Sequence, residues 1–61
     1  SRVSITDRRR DLRVCYATLI AYFEELHEQL QRYFYHTADT EILEQVTLPI
    51  LRSRLAEQSS N

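Results

Sequence analysis

Glu24 and His27 stand three residues apart in a stretch with no helix breaker. Glu-x-x-His spacing puts two ligands on one face of a helix, and in di-iron bundles it meets carboxylates from facing helices. The neighbouring residues argue against a metal here. Apolar positions nearby centre the buried side of this helix between Phe23 and Leu26. At about 100° per residue, Glu24 falls roughly 130° from that centre and His27 roughly 70°, so both point outward or to the flank. No second such motif follows. Cys15 and His27 are twelve residues apart, about 18 Å along one helix, too far for a thiolate–imidazole pair or a shared metal within one chain. Glu24 and Glu28 form an i,i+4 carboxylate pair with no apolar surroundings, which does not suit a general acid. A solvated face steadied by Glu28 with Arg32 is expected there. His36 falls at a helix end, where the dipole favours a cationic cap. These residues predict no catalytic group, no metal ligand and no cofactor-binding residue, and the chain reads as a non-enzyme.

The residues best suited to a charged partner are Arg8, Arg9, Arg10 and Arg13. Arginines along a helix neutralise phosphates and reach base edges, which makes a small RNA- or DNA-binding regulatory protein the alternative function. The cluster is diluted by Asp7 and Asp11, and the chain as a whole carries a formal charge of -1, unlike a basic nucleic-acid module. The charge is unevenly spread: +3 over residues 1–13 and -5 over residues 24–44. The arginines therefore also suit an acidic protein surface, including the Glu-rich middle of a second copy. Every basic side chain is arginine, the residue of bidentate and interface contacts. Tyr16, Tyr22, Tyr33 and Tyr35 add a second interface-prone type. Tyr16 and Tyr33 are expected on the seam, and Tyr22 and Tyr35 off it. Arg2-Val3-Ser4 resembles the start of a basic-directed kinase site, a match too short to carry weight.

Sixty-one residues allow one domain, too small to bury a large fraction of its surface unaided. The single cysteine, Cys15, makes no internal disulfide and reads as a small buried hydrophobe. An intracellular location, cytoplasm or nucleus, is the expectation for such cysteine usage. No apolar run approaches the roughly 20 residues of a membrane span, and no signal-like segment opens the chain. It begins at Ser1 rather than methionine, as a processed chain or an excised piece would. Glycine is absent and proline occurs once, which disfavours hairpin strands and phosphate-cradling loops.

The elements that position these groups are helices. Leu12, Tyr16, Leu19, Phe23, Leu26, Leu30 and Tyr33 recur at alternating steps of four and three, one stripe of a helix as in a coiled coil or bundle seam. The spacing predicts helix 1 over about residues 6–36. Thr6 or Ser4 caps it, and Asp7 pairs with Arg10 and Asp11 with Arg8. A turn over about 37–40 follows, with Asp39 or Thr40 capping helix 2 over about 41–57. Pro49 falls inside helix 2, where it removes a hydrogen bond and clashes with the preceding turn. A kink, or a stop near Thr47 and Leu48 with a restart, is expected. Residues 58–61 read as a fraying tail.

On a regular helix wheel Ile42, Leu43, Val46 and Ile50 share one face of helix 2, and Leu48, Leu51 and Leu55 nearly the opposite one. An antiparallel hairpin with its turn at 37–40 sets Phe34 near Leu43, Leu26 near Ile50, and Phe23 near Arg54, within reach of Glu24. Helix 2 then ends early. Leu12, Cys15, Tyr16 and Leu19 stay uncovered, with Tyr22, Phe23, Leu48, Leu51 and Leu55 completing the apolar surface. Exposed apolar surface of this kind marks a contact. The fold expected is all-α, an antiparallel helical hairpin assembling into a helix bundle as a homodimer or higher oligomer. The function expected is protein–protein interaction and oligomerisation, as a regulatory or adaptor domain. Its partner is itself, another helical protein or the rest of a parent chain, and no membrane is involved. Two helix 1 segments packed antiparallel about Ala21 and Tyr22 would bring Cys15 to Glu28, and Arg13 to Leu30, of the partner.

Overall fold

The computed structural model describes residues 4–34 and 36–59. The Arg2-Val3 part of the kinase-like stretch, Tyr35, and Ser60 and Asn61 of the expected tail lie outside the described residues. The chain folds as an all-α helical hairpin. Helix α1 is Ile5–Phe34. After a short turn, α2 (Ala38–Ile42), a π-helical turn (Leu43–Thr47) and α3 (Leu48–Ser59) follow without interruption and form one second arm. The molecule is a rod of 47 × 18 × 14 Å.

Ser4 caps α1: its hydroxyl accepts from the Asp7 amide at 3.0 Å, and its carbonyl accepts from the Arg8 amide. Of the two candidate caps, Ser4 therefore serves rather than Thr6. Thr37 caps α2, earlier than the expected Asp39 or Thr40. Thr40 instead sits at the third helical position and closes a capping box with Thr37. The Thr40 hydroxyl accepts from the Thr37 amide and donates to the Thr37 carbonyl, each at 2.8 Å. Thr40 is 0% exposed, so this reciprocal bonding satisfies a polar group that water cannot reach.

Moving the cap from residue 40 to 37 changes the register of the hairpin. His27 now stands level with Glu44, and the Arg13 guanidinium reaches the Gln58 carbonyl. The expected layout set Gln58 beside residue 19, six residues or about 9 Å away. The second arm therefore covers Leu12 and Tyr16, which are half-buried rather than bare. Only the first two turns of α1 overhang it. Gln58 is half-buried in the last turn of α3, not part of a frayed tail.

Pro49 neither breaks nor restarts the second arm. Backbone angles at Ile42, Leu43 and Leu48 are all helical, near φ -61 to -64° and ψ -42 to -44°. The irregularity lies one turn earlier. The Leu48 amide bonds to the Leu43 carbonyl, five residues back instead of four. A proline ring crowds the carbonyl four residues before it, and the wider π turn moves that carbonyl aside. The π turn also changes which side chains align. In a regular helix, residues five apart lie about 140° apart. Here they lie about one turn apart, so Leu43 and Leu48 stack on one face. They are the two buried apolar residues of the described chain, at 7% and 4% exposure. Leu48, Leu51 and Leu55 thus face α1 and belong to the intramolecular core, not to an outer surface. Leu43 joins them, and Ile42, Val46 and Ile50 are left outside at about half exposure.

Candidate interaction surface

The side of α1 that meets the second arm is Leu12, Tyr16, Ile20, Phe23, His27 and Leu30, all half-buried, with Leu26 half-buried at its edge. This stripe is rotated from the expected one: Ile20 and His27 turn in, while Leu19 (42% exposed) and Tyr33 (69%) turn out. The physical cause is across the seam. His27 Nε2 lies 2.7 Å from Glu44 Oε1, and a carboxylate accepts, so the imidazole donates there. Gln31 adds a second donor to the same oxygen at 3.3 Å. His27 is therefore a satisfied cross-helix link rather than a flank residue. Among the described residues no three His, Cys, Asp or Glu side chains gather as a metal site would need.

Polar links between the arms fall on one side. Measured from the centre of the half-buried stripe at about 100° per residue, Glu24 and Gln31 lie roughly 70–90° round α1 in one sense. Cys15, Leu19, Tyr22, Leu26 and Tyr33 lie roughly 50–110° round in the other. On the first side Arg52, not the expected Arg54, pairs with Glu24 at 2.8 Å. Glu44 stands there too. Arg54 turns the other way and pairs along its own helix with Glu57 at 3.5 Å. The hairpin is thus a two-helix layer with a polar-linked face and an apolar face.

The apolar face has its own seam. Cys15, Leu19, Tyr22, Leu26 and, after Gln29, Tyr33 repeat at steps of four and three. Cys15 is exposed, not the buried residue expected, because the seam that meets the second arm runs through Tyr16 and Ile20. Tyr22 is 61% exposed and stands edge-on to the Phe23 ring, with centroids 5.3 Å apart. In the hairpin register Ile50 is level with Tyr22. Ile50 and Val46, with Gln45, Pro49 and Ser53, frame a shallow groove of about 470 Å³ on the second arm.

The arginine cluster divides by location. Arg13 is half-buried and donates to the Gln58 carbonyl at 3.0 Å. It satisfies a carbonyl left free at the end of α3 and meets the negative end of that helix dipole. Arg13 therefore contributes to the fold. Arg10 lies 3.4 Å from Asp7 and 3.8 Å from Asp11, taking the place expected for Arg8 beside Asp11. Arg8 and Arg9 are exposed on the overhang. At the other end, Glu28 pairs with Arg32 at 3.0 Å as the i,i+4 spacing predicts. His36 is drawn to Glu41 in the first turn of α2 rather than capping α1, because the turn is only a few residues long. Asp39, Glu41 and Glu44 leave that end acidic.

No helix among the described residues is long and apolar enough to cross a membrane. No known family matches the chain, and neither a curated protein nor a solved structure is significantly similar to it.

Proposed function

We propose that the chain is a non-enzymatic protein–protein interaction module that works by helix packing through its apolar face. The observation that carries this reading is the separation of the two faces. Among the described residues the Glu24–Arg52 pair lies on one side and His27–Glu44 at the seam between the arms, while Cys15, Leu19, Tyr22 and Tyr33 stand exposed on the other side at seam spacing. A helix exposing apolar residues at alternating four and three steps presents the knobs that another helix accepts. Tyrosine is well suited to such a contact, since it combines large apolar area with few rotatable bonds. The Val46–Ile50 edge extends the same surface onto the second arm. With Arg13 and Arg10 engaged inside the chain, Arg8 and Arg9 are the members of the cluster left unpaired among the described residues, which argues against phosphate tracking as the main role.

The test is a photo-crosslinking residue placed at Tyr22 on the apolar face or at Glu24 on the polar face, in the cells that make the protein. Adducts to protein from position 22, and few from 24, are expected. Equal yields from both positions would sink the reading. A parallel titration into labelled structured RNA and duplex DNA addresses the alternative at about 50 and 200 mM salt. Micromolar binding at the lower salt, lost when Arg8, Arg9 and Arg10 become glutamine with helix content unchanged, would replace this function with nucleic-acid binding.

A further inference from the structure

We infer that the occupant of the apolar face is a second copy of this chain, laid face to face with α1 antiparallel to α1 and the two-fold axis passing beside Tyr22 and Ile50. The inference rests on the helix-packing function above and names its partner and geometry. Three observations select it.

The seam is its own complement. Cys15 and Gln29 lie seven residues either side of Tyr22, and Leu19 and Leu26 three and four, so an antiparallel copy sets Tyr22 against Tyr22, Cys15 against Gln29 and Leu19 within one residue of Leu26 of the second copy, with Tyr33 beside Asp11 at the edge of the contact. A two-fold contact requires this self-complementarity, in which each residue meets the other's equivalent in reverse order. The second arm agrees independently. Ile50 is level with Tyr22 in the hairpin register set by His27–Glu44 and Arg13–Gln58. The same axis therefore brings Ile50 (52% exposed) to Ile50 and closes a four-helix bundle.

Charge selects the direction. Arg8 and Arg9 leave the overhang at one end of the rod with a net +1, since Arg10 is offset by Asp7 and Asp11, and Asp39 and Glu41 make the turn at the other end acidic. A parallel arrangement stacks like on like at both ends. The antiparallel one lays the basic overhang of each copy beside the acidic turn of the other, a complementarity that fixes orientation more than affinity. The third observation is the overhang itself. The second arm ends level with Leu12–Arg13, so Arg8 to Arg10 extend past it and are placed to reach a neighbour's turn.

Cys15 reports the orientation directly. In the antiparallel pair the two Cys15 residues are about 21 Å apart, while Cys15 stands opposite position 29. A disulfide needs Cα atoms within about 7 Å. Two measurements are made on the purified chain: sedimentation equilibrium over a hundredfold range of concentration, and mild oxidation followed by non-reducing mass analysis. A reversible dimer is expected. The unsubstituted chain should not link covalently within the dimer. Gln29→Cys should link Cys15 of one copy to position 29 of the other. At micromolar chain this is roughly a thousandfold faster than random collision, given a millimolar effective concentration in the pair. Cys15→Ser with Gln29→Cys is the control and should not link; circular dichroism checks that each variant keeps its helices. A dimer that links through Cys15 alone would overturn the antiparallel arrangement. A dimer without the 15–29 link would overturn the face. A chain that stays monomeric throughout would overturn the second copy as partner. In that last case, protein adducts from Tyr22 would leave the interaction function standing with a different partner, and their absence would remove both.

Discussion

Deleting one residue should have opposite consequences at two places in the second arm. The π turn holds one more residue than a regular turn, and its effect is to align Leu43 with Leu48. Deleting Gln45, an exposed residue of that turn, converts the five-residue spacing to four and puts the same two leucines on one face of an ordinary α-helix. Pro49 must be changed to alanine at the same time, since its ring would then crowd a regular turn. Both leucines stay buried, each worth about 1.5–3 kcal/mol, and the double change should leave stability within about 1 kcal/mol of the parent or raise it. Deleting Ser53, which is equally exposed, rotates everything after it by about 100°. Leu55 leaves the seam and the Arg13–Gln58 contact is lost. Half a leucine's burial plus one hydrogen bond to a charged group predicts a loss of about 2–3 kcal/mol. Urea unfolding followed by circular dichroism, at one fixed chain concentration, measures both. If the Gln45 deletion with Pro49→Ala costs as much as the Ser53 deletion, the π turn is not what brings the leucines together.

The other perturbations are simpler. Leu48→Ala should cost about 2–5 kcal/mol by opening a cavity in the smallest part of the core, and Ile50→Ala well under half of that in the monomeric fold, as denaturant midpoints of dilute chain would show. Thr40→Val keeps the shape of the side chain but removes the hydroxyl that both accepts from and donates to Thr37; a loss of about 1–2 kcal/mol in the same assay is expected, and no loss would mean the capping box is ornamental. Leu19→Asp should raise the dissociation constant of the dimer roughly 30-fold or more, the equivalent of about 2 kcal/mol for a carboxylate buried without a partner. Glu24→Ala, which removes an exposed pair with Arg52, should shift the same constant by no more than about threefold; comparable shifts by light scattering would put the contact on the wrong face.

The helices, their order and the unequal length of the arms were legible in the spacing of apolar residues. So were the Asp7–Arg10 and Glu28–Arg32 pairs, because i,i+3 and i,i+4 geometry is local. Three things were not. The sequence alone puts the turn some three residues late, because His36, Thr37, Asp39 and Thr40 make one polar stretch and both Thr37 and Thr40 can cap a helix. Thr37 wins because Thr40, three residues on, returns both of its hydrogen bonds. That small displacement moved the register by six residues and changed which part of α1 lies bare. His27 was set on the flank because its partner, Glu44, is distant in sequence and becomes visible only once the register is known. The third is the phase of the second arm, which a wheel at constant angle cannot represent once a π turn intervenes. Pro49 was the available signal. It marked a disturbance, but a break, a kink and a widened turn all follow from the same missing amide.

That correction of phase changes what the apolar residues imply. On a regular wheel the second arm is apolar on two opposite sides, one for α1 and one for some further layer, and the uncovered end of α1 asks for a third contact. With the π turn in place Leu43, Leu48, Leu51 and Leu55 form one stripe that α1 absorbs, and the longer reach of the arm covers Leu12 and Tyr16. The exposed apolar residues that share one face are then a seam on α1 and a short edge at Val46 and Ile50, near each other at mid-rod, with Ile5, Val14, Phe34 and Ile42 exposed elsewhere. A docking surface on a larger protein has no need to be symmetric about its own centre. This one sets Cys15 and Gln29 at equal distances from Tyr22, with Ile50 near the same height and opposite charges at opposite ends, and a second, antiparallel copy is the partner that uses all three together.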